Sequence, residues 1–187
     1  IADLSFEDAS LIDDWENKPY GAPPVILEEI MGLQLFAFRD ANFSPFLPTS
    51  ADKMLALYSY GKDVPQPDGV IAFDQTFVQM FLVATGPIEV FEAETNTRTA
   101  INTNNVVDTL RFAWAPAPDR TVGEWVRSRK DFLADFAGGI RHKLESDLGS
   151  IDLATLVTQV FTAVDQKHLQ LYLRDPQAAA ILPQAGW

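Results

Sequence analysis

Residues 68–91 read DGVIAFDQTFVQMFLVATGPIEVF and predict one strand–helix–strand unit. Residues 70–73 form an apolar run of strand length, and a second such run lies at residues 88–91. Between them, Asp74 is placed to cap a helix over residues 75–84. Two strands joined through a helix are usually parallel, with a right-handed crossover. The expected fold is therefore α/β, with a central mixed or mostly parallel sheet covered by helices on both faces.

Outside this unit, two further apolar runs have the length of strands. They lie at residues 33–38 and 169–173, and because helical patterns flank each of them, both are expected in the same sheet. Thr49 or Ser50 is expected to cap the helix that follows the first run, and Gly138-Gly139 predicts a bend or close packing in the longest helix. Helices are expected at residues 25–31, 51–60, 104–114, 121–148 and 152–164, with Asn102 or Thr103 as the cap of the third.

The length and composition are those of one globular domain. The chain has 187 residues, of which 47% are hydrophobic and 21% are charged, and these fractions are close to the averages for soluble proteins. Residues 1–31 contain eight acids and one cation, Lys18, which indicates a peripheral acidic segment. We therefore expect a single α/β domain over residues 1–187. No apolar run approaches the ~20 residues that a membrane-spanning helix needs.

The chain is acidic, but its cations are unevenly distributed. Its net charge of −12 repels the phosphates of nucleic acid, so nucleic-acid binding is not expected. A solvated basic helix face is the favoured interpretation of the one cationic stretch, and a local anion site is the alternative. That stretch holds half of the 14 cations, namely Arg111, Arg120, Arg127, Arg129, Lys130, Arg141 and Lys143.

Several motifs of catalysis and metal binding are absent from the sequence. The chain has no cysteine, which excludes disulfides and thiolate chemistry and suits a protein outside the bacterial cytoplasm. Its two histidines, His142 and His168, lack the spacing of zinc ligands, so we interpret both as surface or boundary residues and predict no metal site. The sequence also has no dinucleotide-binding glycine motif, no phosphate loop and no serine nucleophile elbow.

Candidate ligand-binding residues follow the predicted strand at residues 33–38. Arg39, Asp40 and Asn42 come directly after it, and polar side chains at strand ends in open α/β sheets commonly bind ligands. Arg129 lies in the apolar stripe of the longest predicted helix. Its guanidinium must reach water, pair with an acid or hold an anion, and the first two outcomes are favoured. We expect Arg39 and Arg129 to approach each other at the end of the sheet.

Several unusual strings occur along the chain in a fixed order. They are RDANFSP at residues 39–45 with PTS at 48–50, DGVIAFD at 68–74, TGPI at 85–88 and KHLQLY at 167–172, with a terminal Gly-Trp. Together they resemble an uncharacterised bacterial envelope family, the domain of unknown function numbered four thousand and twelve. The resemblance implies the C-terminal part of a longer extracytoplasmic protein, membrane-anchored through an N-terminal helix. It names no reaction, and a binding or scaffolding module is its leading interpretation.

A weaker resemblance concerns the order of the elements. Strand, helix, glycine turn, strand and an arginine-bearing long helix are similar to the LytR-CpsA-Psr glycopolymer ligases. Arg39-Asp40 is similar to their Arg-Asp pair and Arg129-Lys130 to their Arg-Gln pair. The alternative function that this implies is a phosphotransferase that attaches a polyprenyl-pyrophosphate-linked glycopolymer to the cell wall.

Under this alternative the candidate residues acquire roles. Arg39, Asn42, Arg129 and Lys130 bind the ligand, and Asp40 is catalytic as a base or metal ligand. A divalent metal is implied only here, and the cofactor is otherwise unknown. The expected partner is a cell-envelope glycan or a polyprenyl pyrophosphate.

Overall fold

A computed structural model describes the backbone of residues 9, 12–61, 65–92, 97–115, 121–185 and 187, and their side chains except at residues 92, 113–114, 122–131 and 185. The chain divides into two compact units. The central unit is built on the described residues of 73–169, and the terminal unit on those of 7–72 and 170–185. The expectation of one domain over residues 1–187, with a peripheral segment at residues 1–31, stays a prediction.

Helix predominates over strand among the described residues, and the predicted mixed α/β composition is confirmed. The helices are α1 (Val25–Met31), α2 (Leu47–Tyr58), α3 (Gln75–Thr85), α4 (Val106–Trp114), α5 (Val122–Ser146), α6 (Leu153–Asp165) and α7 (Pro176–Ala179). The strands are β1 (Gly69–Phe73), β2 (Ile88–Glu92), β3 (Thr97–Ile101) and β4 (Leu169–Leu173), and 3₁₀ helices lie at Phe38–Asp40, Leu148–Ser150 and Leu182–Ala185. Within the described part of the chain, no helix combines the length and apolarity needed to cross a membrane.

The strands form two small sheets, so the predicted central parallel sheet is wrong. β2 pairs with β3, β1 pairs with β4, and both pairs are antiparallel. β1 and β2 therefore belong to different sheets although α3 connects them. The order of elements alone does not determine whether two strands joined through a helix pair with each other. β2 instead pairs through a hairpin with the next strand, because closing a short loop costs less chain entropy than closing a long one.

Residues 33–38 do not form the predicted strand. The Phe36 amide donates to the Gly21 carbonyl (3.0 Å) and the Phe38 amide to Asp13 Oδ1 (3.0 Å). A loop carbonyl and a side chain thus supply the acceptors that a neighbouring strand would supply. Phe36 is buried, so the apolar pattern indicated burial correctly but did not indicate sheet pairing. The polar residues that come next consequently follow a loop and not a strand end.

The core of the central unit lies between the β2–β3 hairpin and α5. α5 approaches β2 closely at Gly139, where a Cβ would lie 2.7 Å from Ile88 Cγ2 and 2.8 Å from the Glu89 carbonyl oxygen. The close packing predicted from Gly138-Gly139 is therefore confirmed at Gly139. The buried residues of this core are Leu82, Ile88, Val90, Ile101, Val106, Phe132 and Phe136.

α3 and α6 pack antiparallel in the central unit. The Asp152 amide, before α6, donates to the Ala84 carbonyl near the end of α3 (3.0 Å), and the Asp74 amide, before α3, donates to the His168 carbonyl after α6 (3.2 Å). Asp74 and Asp152 also cap their helices, because each side chain accepts the amide three residues further on at 3.0 Å. The cap predicted at Asp74 is thus confirmed.

α2 begins at Leu47, ahead of its predicted start. Pro48 fits the first turn of a helix, because its missing N–H would have no intrahelical partner there. Thr49 and Ser50 therefore lie inside the helix, and the prediction that one of them caps it is wrong. The Ser50 hydroxyl instead accepts the Ser44 amide (3.0 Å) and donates to the Ser44 carbonyl (3.1 Å).

Candidate functional site

The sequence-predicted residues Arg39 and Asp40 lie together in a 3₁₀ turn of the terminal unit. Asp40 Oδ2 accepts the Ala37 amide (3.4 Å) and lies 3.8 Å from Arg39 Nε. The Asp40 side chain is 15% exposed, whereas that of Arg39 is 55% exposed. Asn42 is exposed as well. The Arg39 guanidinium therefore faces solvent, while the Asp40 carboxylate accepts a hydrogen bond from the backbone of the turn.

An aromatic platform supports Arg39. Its guanidinium carbon lies 6.0 Å from the Trp15 ring centroid, and Trp15 stacks on Tyr20 with centroids 4.7 Å apart. The Tyr20 hydroxyl accepts the Asp14 amide (2.8 Å). Burial, followed by the neighbouring Asp13 carboxylate, raises the pKa of Tyr20 to about 12. Tyr20 therefore stays protonated at physiological pH, and the platform is neutral.

The other predicted ligand residues, Arg129 and Lys130, lie in α5, in a part of that helix whose side chains fall outside the described residues. From the predicted set, the structure brings Arg39 and Asp40 together. The approach of Arg39 to Arg129 and the catalytic role of Asp40 stay predictions. Among the residues that the structure describes, no group of His, Asp and Glu side chains is placed to hold a metal ion.

A cleft of about 450 Å³ opens in the terminal unit. Its walls come from one face of α2, from the end of β4 and from the loop before β1. The α2 residues recur at steps of three and four, which places them on one face of the helix. The lining residues are Asp52, Leu55, Ala56, Ser59, Gln66, Tyr172 and Arg174.

A hydrogen bond joins two walls of the cleft. The Tyr172 hydroxyl of β4 donates to Asp52 Oδ1 of α2, and this bond, with burial as the second cause, raises the pKa of Tyr172. Hydrogen bonds to a charged carboxylate are stronger than neutral ones, so the bond fixes the spacing of the two walls. Because a carboxylate offers about four acceptor sites on its two oxygens, Asp52 keeps acceptor capacity for a ligand.

β1 supports the β4 wall. A Cβ at Gly69 would collide with the Tyr172 carbonyl oxygen, so glycine is required for this approach of the two strands. The Arg174 amide donates to the Asp68 carbonyl (2.9 Å), and the Arg174 guanidinium reaches the Pro67 carbonyl at a long 3.5 Å. A guanidinium has five N–H donors, and the Arg174 side chain is exposed. The Arg174 side chain can therefore donate to a ligand while the Arg174 amide stays bonded to the Asp68 carbonyl.

The cleft combines donors and acceptors of different kinds. Asp52 accepts, Arg174 donates, and Gln66 does both. The Ser59 hydroxyl already donates to the Ala56 carbonyl (2.6 Å). Among the described lining residues there is no histidine or lysine, so none of them is a usual base for activating Ser59 as a nucleophile. These donors and acceptors suit reversible binding of a hydroxyl-rich ligand.

A histidine–carboxylate pair lies in the central unit. His168 Nδ1 is 2.7 Å from Asp74 Oδ2, and Asp74 Oδ1 accepts the Phe77 amide (3.0 Å). Burial acts to raise the pKa of Asp74, but the hydrogen bonds from His168 and Phe77 outweigh it, so the pKa lies below its usual value. His168 is partly exposed, which agrees with its interpretation as a surface or boundary residue. Both oxygens of Asp74 have structural partners, and we interpret the pair as structural.

Sequence reasoning missed the residues that line the cleft. The sequence pattern places Asp52 only in the helix predicted at residues 51–60 and Tyr172 only in the strand predicted at residues 169–173. Their hydrogen bond joins positions 120 residues apart, and no local motif marks such a pairing. The available signal is the Tyr172 hydroxyl itself, since a tyrosine in a packed strand usually finds a hydrogen-bond partner.

Residues 3–113 match a family model described as protein of unknown function (DUF4012), and this match covers more than half of the chain. No curated protein and no solved structure matches the sequence. The matched region includes the 3₁₀ turn at Phe38–Asp40 and the α2 side of the cleft, and it ends before β4. Because the family description names no activity, only the residues of the cleft indicate what it binds.

Proposed function

The chain belongs to the DUF4012 family of proteins of unknown function, and from this premise we propose that it is a binding module of the bacterial envelope that holds a cell-envelope glycan in its cleft. The hydrogen bond from Tyr172 to Asp52 is the observation that carries the proposal. It sets two polar walls at a fixed spacing beside the apolar atoms of Leu55 and Ala56, so the cleft is organised before a ligand arrives.

The size and lining of the cleft support a sugar ligand. Its volume of about 450 Å³ lies within the roughly 300–1,000 Å³ that is typical of small-ligand pockets. Sugar hydroxyls donate and accept hydrogen bonds, so they complement Asp52, Gln66 and Arg174 together. A glycan that also carries a carboxylate or phosphate gains a bidentate partner in the Arg174 guanidinium.

The proposed location is outside the cytoplasm, with the protein membrane-anchored through an N-terminal helix. The absence of cysteine supports this, because such a chain has no thiol to be oxidised there. Fusion of the complete gene product to a reporter enzyme that is active only after export tests the location. An inactive reporter on a stably produced fusion contradicts it.

Calorimetric titration with soluble peptidoglycan glycan strands tests the binding function. We expect Tyr172→Phe, Asp52→Asn and Arg174→Ala each to weaken binding about tenfold, a loss of about 1.4 kcal/mol. Tyr172→Phe and Arg174→Ala each remove a hydrogen-bonding group, and Asp52→Asn replaces one acceptor oxygen and the negative charge by an amide donor. Tyr58→Phe is the matched control, since Tyr58 is a partly exposed tyrosine of α2 that does not line the cleft. A wild-type chain that binds no glycan, or a Tyr172→Phe variant that binds as tightly as Tyr58→Phe, contradicts the proposal.

A second candidate function is the phosphotransferase that acts on a polyprenyl-pyrophosphate-linked glycopolymer. The observation that favours it is the exposure of Arg39, whose Nε stands 3.8 Å from Asp40, beyond hydrogen-bond distance, so that a phosphate oxygen can compete for the guanidinium. In this candidate, Arg129 and Lys130 complete the phosphate ligands, Asn42 contributes an amide, and Asp40 acts as base or metal ligand.

Binding of a polyprenyl pyrophosphate separates the two candidates. The phosphotransferase requires that Arg39→Ala and Arg129→Ala weaken pyrophosphate binding at least tenfold, while Tyr172→Phe leaves it unchanged. A wild-type chain that fails to bind the pyrophosphate, or an Arg129→Ala variant that binds it equally well, contradicts this candidate. The glycan titration and the pyrophosphate titration thus depend on different residues.

A further inference from the structure

α6 carries more apolar surface than it buries. The helix has no charged residue from Leu153 to Val164 and buries Ala163 and Val164. Leu153, Val157 and Phe161 recur every four residues and remain 62%, 54% and 60% exposed, so they form one ridge on the helix surface. A surface helix normally turns charged or polar residues toward water. The ridge of α6 is therefore an apolar surface that the described residues of the central unit leave exposed.

The neighbouring helix extends this surface at one end. Val83 of α3 is 54% exposed, and the next residue, Ala84, accepts the Asp152 amide at the start of α6 (3.0 Å). The register of the antiparallel pair thus brings the backbone at Val83 close to the start of α6. Because hydrogen bonds hold α3 and α6 together at both ends of the pair, the apolar surface is preformed.

We propose that the ridge of α6 is a dimer interface and that α6 of a second copy of the chain occupies it. The ridge is symmetric about Val157, with a large apolar residue one turn away on either side. A two-fold axis at Val157 places Leu153 of each copy against Phe161 of the other, so the surface is self-complementary. With the two ridges aligned, the helix axes cross at a steep angle, which concentrates the contact around Val157.

The charge distribution favours a second copy over a lipid surface. Each copy carries a net charge of −12, so two copies repel each other over most of their surfaces and meet at least cost where no charge lies. α6 provides such a stretch, since its acids stand at its ends, Asp152 and Asp165. Helices that lie on membranes usually carry Lys or Arg beside their apolar face, and α6 contains neither.

Sedimentation equilibrium over a concentration series up to about 1 mM, the range of weak association, tests the proposal. We expect a monomer–dimer equilibrium for the wild type and a Kd at least tenfold higher for Val157→Arg, which places two guanidinium groups together at the two-fold axis. Val25→Arg is the control, because Val25 of α1 is also exposed, at 66%. Circular dichroism confirms that each variant is folded. A wild-type chain that stays monomeric, or a dimer that Val157→Arg leaves intact, overturns the proposal.

Cysteine cross-linking provides an independent readout, because the chain contains no cysteine of its own. Val157→Cys should give a disulfide-linked dimer under mild oxidation, since the two-fold axis brings two Cα atoms within the ~7 Å that a disulfide spans. Thr158→Cys is the matched control, because Thr158 is exposed but points about 100° away around the helix. Equal cross-linking at both positions, or none at position 157, overturns the proposal, as does binding of a monomeric chain to lipid vesicles through this ridge.

Discussion

Asp74 caps α3 with one carboxylate oxygen and holds the His168 ring with the other, at 3.0 Å from the Phe77 amide and 2.7 Å from Nδ1. Alanine at this position removes both bonds. Asparagine keeps the cap, because its carbonyl oxygen still accepts an amide, but it carries no charge for a protonated histidine. The two substitutions therefore separate the contribution of the helix cap from that of the histidine partner.

We expect Asp74→Ala to lower the free energy of unfolding at neutral pH by about 1–2 kcal/mol, which is typical for the loss of an N-cap. Asp74→Asn should lower it by less than half of that amount. Urea denaturation followed by circular dichroism measures both. Asp152→Ala is the comparison. It removes the N-cap of α6, and the Asp152 side chain hydrogen-bonds to Thr155 and not to a histidine. Equal losses for Asp74→Ala and Asp74→Asn would show that the cap contributes little.

The lowered pKa of Asp74 sets the sign of its pH dependence. Since the folded-state pKa lies below the usual value of 3.8, the unfolded chain takes up the proton first as pH falls. The stabilisation is then complete above the usual value and is lost as pH falls through the folded-state pKa. The stability difference between wild type and Asp74→Asn should therefore shrink between about pH 5 and about pH 3. A difference that grows over this interval contradicts the assignment.

Two adjacent glycines show how α5 and β2 pack as elements. A Cβ at Gly139 would press on Ile88 and on the Glu89 carbonyl oxygen at 2.7 and 2.8 Å, whereas a Cβ at Gly138 would meet nothing within 4 Å. Alanine favours a helix over glycine by about 1 kcal/mol. At Gly138 nothing opposes that gain. At Gly139 the backbone of β2 must move to admit the new methyl group, and this overpacking outweighs the gain.

We expect Gly138→Ala to raise the free energy of unfolding by up to about 1 kcal/mol and Gly139→Ala to lower it by about 1–3 kcal/mol. Chemical denaturation of the two variants side by side measures the contrast, and each serves as the control for the other. A Gly139→Ala variant as stable as Gly138→Ala would mean that α5 does not press on β2 at this position.

Elements whose signals are local could be predicted from the sequence, and pairings between distant elements could not. Asp74 marks the start of α3, and Gly86, with φ +69°, marks its end, because caps act within a few residues. Residues 33–38 have the apolarity of a strand, but strand formation requires a partner, and the sequence does not specify one. The sequence predicts residues 70–73 and 169–173 in one sheet, and they do pair as β1 and β4, but it does not predict that this sheet is antiparallel and separate from that of β2.

The contacts of the candidate site also fall into those that the sequence predicts and those that it does not. Arg39 and Asp40 are adjacent in sequence, so their contact in the 3₁₀ turn required no knowledge of the fold. Asp52 and Tyr172 form the wall of the cleft only because α2 and β4 come together, 120 residues apart in the chain. The exposed ridge of α6 is an intermediate case. Its spacing is visible in the sequence, but its exposure depends on which side of the helix packs against α3.

The whole molecule carries a net charge of −12, with half of its 14 cations between residues 111 and 143. This distribution allows two modes of self-association with opposite responses to salt. A contact between acidic and basic stretches of two copies weakens as salt screens the attraction. An apolar contact at the ridge of α6 strengthens, because salt screens the repulsion between two negatively charged copies while leaving the buried apolar surface intact.

We therefore expect the dimer to tighten as ionic strength rises from 0.1 to 1 M, which shortens the Debye length from about 10 to about 3 Å. The dissociation constant should fall severalfold for the wild type and for the Val25→Arg control. Sedimentation equilibrium at a series of NaCl concentrations measures this change. A dissociation constant that rises with salt would place the contact on the cationic stretch instead of α6. The Val157→Arg variant sharpens the distinction. Salt screens the repulsion between its two opposed guanidinium groups but restores none of the lost apolar contact. At high salt this variant should therefore still dimerise more weakly than the wild type.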